Sequence, residues 1–182
     1  MTLDEQIQIW GAIGTWLAGA GTLAAVIVAL YLSRKADRIR IKVIAGLRLL
    51  VGDGSPNEKM VSIGVTNLGD RPVTINSIGW AIGKGKEKRV CIQPVSGVYT
   101  ARYPITLAYG NNANFMQPIN QTTNWIIEFA NGFIKSSDDR YLKALVVQVH
   151  TSVGITIEAK PELELIESLK QAYSSIPSAP RL

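Results

Sequence analysis

The chain of 182 residues has one cysteine, Cys91, and one histidine, His150. A lone thiol closes no intrachain disulfide and builds no multi-cysteine metal site, and such scarcity agrees with a reducing compartment. A lone imidazole forms no H-E-x-x-H pair and no histidine cage. No metal and no cofactor is therefore expected. Repeats of solenoid length and low-complexity tracts are also missing.

Charge is absent over one long stretch. Residues 9–32, "IWGAIGTWLAGAGTLAAVIVALYL", carry no charged side chain. As an α-helix rising about 1.5 Å per residue, they span roughly 36 Å, enough for a hydrocarbon core of about 30 Å. A buried helix of a soluble protein is rarely apolar on every face for so long. Trp10 and Trp16 toward one end and Tyr31 at the other suit the membrane interfaces. A cleaved export signal needs positive charge before a short apolar run, but here Asp4 and Glu5 come first and the run is too long. Residues 1–33 therefore read as an uncleaved transmembrane anchor.

A basic collar follows over 34–42. Arg34, Lys35, Arg38, Arg40 and Lys42 are opposed only by Asp37. The positive-inside rule keeps that side in the cytoplasm and sends the acidic N-terminus across the membrane. Each cation near anionic headgroups gains about 1 kcal/mol, although setting topology alone accounts for the charges equally well. Within the anchor, Gly14, Ala18, Gly21, Ala25 and Ala29 recur at spacings of four and three and so share a helical face. Small residues allow close helix approach, which points to a homo-oligomer or to packing against another membrane protein. Thr15 and Thr22 could add interhelical hydrogen bonds.

The formal net charge of +5 comes mostly from that collar. A nucleic-acid partner is not expected, because the basic stretch Lys84, Lys86, Lys88 and Arg89 lacks the interleaved aromatics of a stacking platform. Those four cations read as a hairpin turn open to headgroups or an acidic partner. "GKGK" there resembles a phosphate loop, but its spacing fails: Gly79 and Gly83 have three residues between them and Gly85-Lys86 is followed by Glu87.

From Ile41 the periodicity changes from helical to alternating. Ile41, Val43, Ala45, Leu47, Leu49 and Val51 share one strand face, with Lys42 and Arg48 on the other. "DGSPNEK" reads as a turn, "MVSIGVT" as a second strand through Val61, Ile63 and Val65, and "NLGDRP" as the next turn. In "VTINSIGWAIG" the apolar parity switches between Val73/Ile75 and Ile78/Trp80/Ile82, which predicts a bulge near Asn76 and Ser77. "KGKEK" closes a hairpin onto "RVCIQP". Further strands are expected at "VYTARY", "ITLAY", "NFMQP", "YLKALVVQVHTS" and "GITIEA". Trp125, Phe129 and Phe133 lie four apart after a capping Asn124, so "NQTTNWIIEFANG" reads as a short helix ending near Gly132. Pro161 opens a last helix with Leu163, Ile166, Leu169 and Tyr173 as its apolar stripe. "SIPSAPRL" reads as a loose tail.

Short strands, frequent turns and no βαβ alternation predict a mainly β domain over 43–160, with a C-terminal helix and tail over 161–182. The expected architecture is an antiparallel immunoglobulin-like β-sandwich, with a small β-barrel as the alternative. The Cys…Trp…Cys framework of antibody domains is absent. The order of anchor, collar, "VSIGVTNLGDRPVTINSIGW" and "LVVQVHTSVG" resembles a group of small uncharacterised bacterial single-pass membrane proteins. Several of these are associated with prophages and other mobile elements. That resemblance implies inner-membrane placement and contributes no catalytic residue.

Catalytic constellations are hard to assemble. His150 lies inside a strand, where a packed or hydrogen-bonded role is the ordinary one. A Cys91–His150 nucleophile pair would need both at one cleft. Asp138 and Asp139 are consecutive carboxylates in a polar loop. Glu162, Glu164 and Glu167 suit the start of a helix. Asn120 in "NQT" matches a glycosylation sequon without meaning in a bacterial cytoplasmic domain. The expected function is a membrane-anchored, non-enzymatic binding or scaffold module, open to a role in phage exclusion or defence. An effector that oligomerises through the anchor and perturbs the membrane is the first alternative, and an enzyme of unknown type the second.

Overall fold

The computed structural model describes residues 3–36, 38–52, 57–94, 100–120 and 124–175. It divides into two compact units, Met1–Arg38 and Ile39–Leu182. The first is a single helix, α1 (Leu3–Ala36). Its segment Ile7–Arg34 is long and apolar enough to cross a membrane, and none of its most apolar window is buried.

The second unit is mixed α/β with a sheet-rich core. In chain order it contains β1 (Ile41–Leu50), β2 (Glu58–Asn67), β3 (Val73–Ile82), β4 (Arg89–Ile92), β5 (Ile105–Leu107) and β6 (Asn112–Ile119). Then come α2 (Trp125–Phe133), α3 (Asp139–Leu142), β7 (Val146–Thr151), β8 (Thr156–Ala159) and α4 (Leu163–Ser175). Two antiparallel sheets result. One runs β1-β2-β6, and the other runs β4-β3-β7-β8 with β5 also paired to β3. Among the described residues these are separate sheets, so the alternative of one closed barrel falls away.

Alternation on both sheets supplies one core. Ala45, Val61, Ile63, Val65 and Phe115 from the first sheet join Ile75, Ile78, Trp80, Val147 and Val149 from the second. Parity in β3 switches where the apolar pattern says it should: Ile75 faces Thr151 but Ser77 faces His150, leaving Asn76 as the extra residue. The bulge lets Val73 and Ile75 before it, and Ile78, Trp80 and Ile82 after it, all turn inward.

α2 covers this core with aromatics. Its first turn is capped by Asn124, whose side chain accepts from the Ile127 N–H at 3.3 Å. Trp125 and Phe129 stack with centroids 4.5 Å apart, and Trp80 lies 5.3 Å from Trp125 and 5.2 Å from Phe129. α4 inserts Leu165 and Leu169, both fully buried. Asn67, also fully buried, ties the two sheets: its amide donates to the carbonyls of Arg71 and Leu107, while its oxygen accepts from the Gly69 N–H.

Three expected elements differ. Residues 100–103 of "VYTARY" are not a strand, and Val98 and Tyr99 lie outside the described residues. "YLKALVVQVHTS" is not one strand, because its first residues close the one-turn helix α3, which Asp138 caps by accepting from the Arg140 N–H at 2.8 Å. Leu163 does not belong to the buried stripe of α4. It is 72% exposed, and Leu165 takes the buried place. Pro161 precedes the first helical residue, Leu163, rather than sitting inside the first turn. Residues 53–56 of the turn "DGSPNEK" and the tail after Ser175 lie outside the described residues.

Candidate functional site

At the end of the second sheet the β3–β4 turn, α3, and the ends of β7 and β8 enclose a cleft of about 560 Å³. Its walls are small: Ala81, Gly83, Gly85 and Ala144 line it. Gly83 and Gly85 both adopt positive φ, +86° and +58°, which L side chains rarely take. At Gly83 a Cβ would also lie 2.8 Å from the Glu87 carbonyl oxygen. Glycine here allows the chain to turn tightly and keeps the floor of the cleft open.

Five cations surround that floor: Lys84, Lys88, Arg140, Lys143 and Lys160. Glu158 is the carboxylate that lines it. Gln148 Nε2 donates to Glu158 Oε1 at 2.8 Å and Lys88 Nζ to the same oxygen at 3.3 Å. These bonds, Gln148's first, hold the Glu158 carboxyl below its usual pKa, so it stays ionised and committed to Lys88. The other four cations have no ion-pair partner among the described residues.

The expected basic turn is therefore only partly the site. Lys84 and Lys88 line the cleft, and Lys86 lies in a 3₁₀ turn, Gly85–Glu87. Arg89 turns away from the cleft. Its guanidinium donates to the Phe133 carbonyl at 2.5 Å and the Gly132 carbonyl at 3.4 Å, and lies 5.4 Å from the Phe133 ring centroid. There it satisfies carbonyls at the C-terminal end of α2. Arg140, Lys143 and Lys160 were missed by sequence reasoning. The available signal was the three-residue spacing of Arg140 and Lys143, which places them on one side of a helical turn.

Other candidates remain apart. Cys91 pairs with Trp80, which faces the core, whereas His150 is one residue on from buried Val149 and so on the opposite face of the same sheet. His150 Nδ1 lies 3.0 Å from Thr156 Oγ1. Burial pushes the Cys91 thiol up in pKa, away from thiolate. No group of three metal-ligating side chains occurs among the described residues. Asp139 is bound to Lys170 at 2.6 Å, Glu162 to Arg48 at 2.7 Å, and the Asn120 amide donates to Glu58 at 3.0 Å. Glu164 and Glu167 are exposed on α4.

On α1, Gly14, Ala18, Gly21, Ala25 and Ala29 are all exposed, and a Cβ at Gly14 or Gly21 would meet nothing within 4 Å. In the single chain Thr15 donates to the Gly11 carbonyl and Thr22 to the Gly19 carbonyl, each at 2.9 Å. In the collar, Arg34, Arg38, Arg40 and Lys42 are exposed, and the Lys35 side chain lies outside the described residues.

No protein-family model matches the chain, and no curated protein matches it significantly. Among solved structures, a Bordetella pertussis protein provisionally called ApaA is similar at 15% identity, over 67% of this chain and 88% of that one, with a TM-score of 0.31. A second structural-genomics target is similar at 11% identity, over 68% of this chain and 82% of its own, with a TM-score of 0.29. Likenesses of this size carry no argument about function.

Proposed function

We propose that the chain is a membrane-anchored, non-enzymatic binding or scaffold module of the bacterial inner membrane. In this reading the N-terminus lies outside and residues 39–182 lie in the cytoplasm. The observation that carries it is α1, whose most apolar window is wholly unburied. Apolar surface of that extent needs lipid or protein to cover it. Arg34, Lys35, Arg38, Arg40 and Lys42 on one flank supply the charge asymmetry that orients it.

The binding part is an immunoglobulin-like sandwich. Taking β1, β2, β3, β4, β6, β7 and β8 as strands A, B, C, C′, E, F and G makes the two sheets A-B-E and C′-C-F-G. Tethering such a domain raises its effective concentration near other membrane proteins. The resemblance to prophage-associated membrane proteins extends the reading to phage exclusion or defence. Affinity capture from native membranes in mild detergent tests it: a specific membrane or phage partner is expected. Recovery of the chain alone, in repeated trials, would count against it.

A second reading is an effector that oligomerises through α1 and perturbs the membrane. What supports it is the exposed face of small residues, Gly14, Ala18, Gly21, Ala25 and Ala29, which lets a second helix approach closely. It requires that overexpression depolarises cells and that Gly14→Leu with Ala18→Leu abolishes the effect. A wild type without that phenotype removes it.

A further inference from the structure

We propose that the cleft between the β3–β4 turn, α3 and β8 binds a phosphate-bearing polyanion. The shared chemistry is that of pyrophosphate and of a lipid phosphomonoester headgroup. This deepens the binding-module reading and rests on it for the lipid source.

The charge count leads the argument. Lys84, Arg140, Lys143 and Lys160 converge from three segments, the β3–β4 turn, α3 and the end of β8, and the cleft's one lining carboxylate, Glu158, is already engaged by Gln148 and Lys88. Like charges gathered without partners repel one another and draw anions in. A monocarboxylate balances one of four such cations, whereas a polyphosphate balances most of them. The guanidinium of Arg140 offers a planar fork to phosphate oxygens, and the lysines act as adaptable point charges.

The lining then narrows the ligand. No aromatic side chain lines the cleft, so it has no platform on which a nucleobase could stack. Val146 is its one large apolar side chain, too little to hold an apolar ligand. Small walls at Ala81, Gly83, Gly85 and Ala144 let a compact anion reach the floor. What fits is charge with little body.

The test uses the full chain in phosphatidylcholine nanodiscs and reads acetylation rates of individual lysines by mass spectrometry. Pyrophosphate at about ten times its Kd should slow acetylation of Lys84, Lys143 and Lys160 by about tenfold, leaving Lys59 on the other sheet unchanged. A parallel arm replaces part of the phosphatidylcholine with phosphatidic acid and omits pyrophosphate. Protection in that arm assigns the lipid headgroup, and protection by pyrophosphate alone assigns the free anion. Arg140→Ala should weaken the pyrophosphate affinity read from the midpoint of protection about tenfold while Lys59→Ala leaves it intact, a difference of about 1.4 kcal/mol. Protection in neither arm, or equal protection by malonate, overturns the proposal. A chain that stays dispersed without lipid or detergent breaks the membrane reading instead and leaves the pyrophosphate arm standing.

Discussion

Trp80 and Trp125 donate their indole N–H groups to one acceptor: Gln93 Oε1 lies 3.0 Å from the first nitrogen and 2.9 Å from the second. Trp80 belongs to β3 and Trp125 to α2, so the shared oxygen fixes the helix on the sheet. All three side chains are buried. The amide also donates to the Pro94 carbonyl at 3.4 Å, where Gln117 donates at 2.8 Å.

Counted in hydrogen bonds alone, removing the acceptor should therefore cost more than removing either donor. Gln93→Ala leaves two indole N–H groups buried without partners, at about 1–3 kcal/mol each. Trp80→Phe removes one donor and leaves the oxygen bonded to Trp125. Denaturant unfolding of the full chain in detergent, followed by tryptophan fluorescence, should rank Gln93→Ala as clearly less stable than the wild type by several kcal/mol. A loss below about 1 kcal/mol would show that water replaces the amide there.

Glu162 and Arg48 form a fork, with two contacts of 2.7 Å, seated over Gly46. A Cβ at Gly46 would lie 1.9 Å from Glu162 Oε2. Gly46→Ala should push that carboxylate aside and break the pair. Both side chains are more than a third exposed, so the pair is worth about 0.5–1 kcal/mol. A double-mutant cycle should show Gly46→Ala and Arg48→Ala to be non-additive, since each removes the same contact. Full additivity would exclude a shared mechanism.

The pair also has a pH signature. The hydrogen bond from Arg48 lowers the Glu162 carboxyl from its ordinary 4.5. Its stabilising effect is thus fully present above about pH 4.5 and is lost as pH falls through the lowered value. The same bond raises Arg48 above its already high ordinary value, so its side of the linkage disappears only in strong base. Between pH 6 and pH 3, Arg48→Ala should flatten part of the wild-type loss of stability, by no more than about 1 kcal/mol.

These contacts show why some of the fold was legible in the sequence and some was not. The bulge at Asn76 and the capping by Asn124 were readable because each is a local rule: apolar parity, and a side-chain oxygen reaching three residues on. The Gln93 clasp joins residues 13 and 32 apart in sequence, and nothing in "CIQPV" distinguishes its glutamine from a surface one. The cleft was half legible for the same reason. Lys84 and Lys88 sit in one readable turn, but Arg140, Lys143 and Lys160 reach them only through the pairing of β3 with β7 and β7 with β8. Leu163 was misplaced because the helix starts after Pro161 and Glu162, with the Glu162 N–H held by the Ala45 carbonyl at 2.8 Å. That anchor sets which face turns inward.

Arg89 offers a control for the cleft. It belongs to the same basic stretch, yet its bonds run to the carbonyls of Gly132 and Phe133 and it lies over the Phe133 ring. Arg89→Lys keeps the charge but loses the planar fork. It should destabilise the domain by about 1–2 kcal/mol, from the lost hydrogen bonds and ring contact. Anion protection of Lys143 in the folded protein should be unchanged. A selective loss of protection at full stability would place Arg89 in the site after all.

Orientation in the membrane gives the last test. Asp4 and Glu5 precede the apolar run, while Arg34, Lys35, Arg38, Arg40 and Lys42 follow it. Moving such a cluster across the bilayer opposes the bias that sets topology, and acidic residues contribute little to that bias. The asymmetry therefore rests on the collar. Alkaline phosphatase fused after Leu182 should be inactive, because its folding needs the oxidising side of the membrane. Changing Arg34, Lys35, Arg38 and Arg40 to Gln should raise phosphatase activity as part of the population inverts. Strong activity in the unmodified fusion would put residues 39–182 outside, where anionic lipid on the cytoplasmic leaflet could not reach the cleft and only the free-anion source would remain.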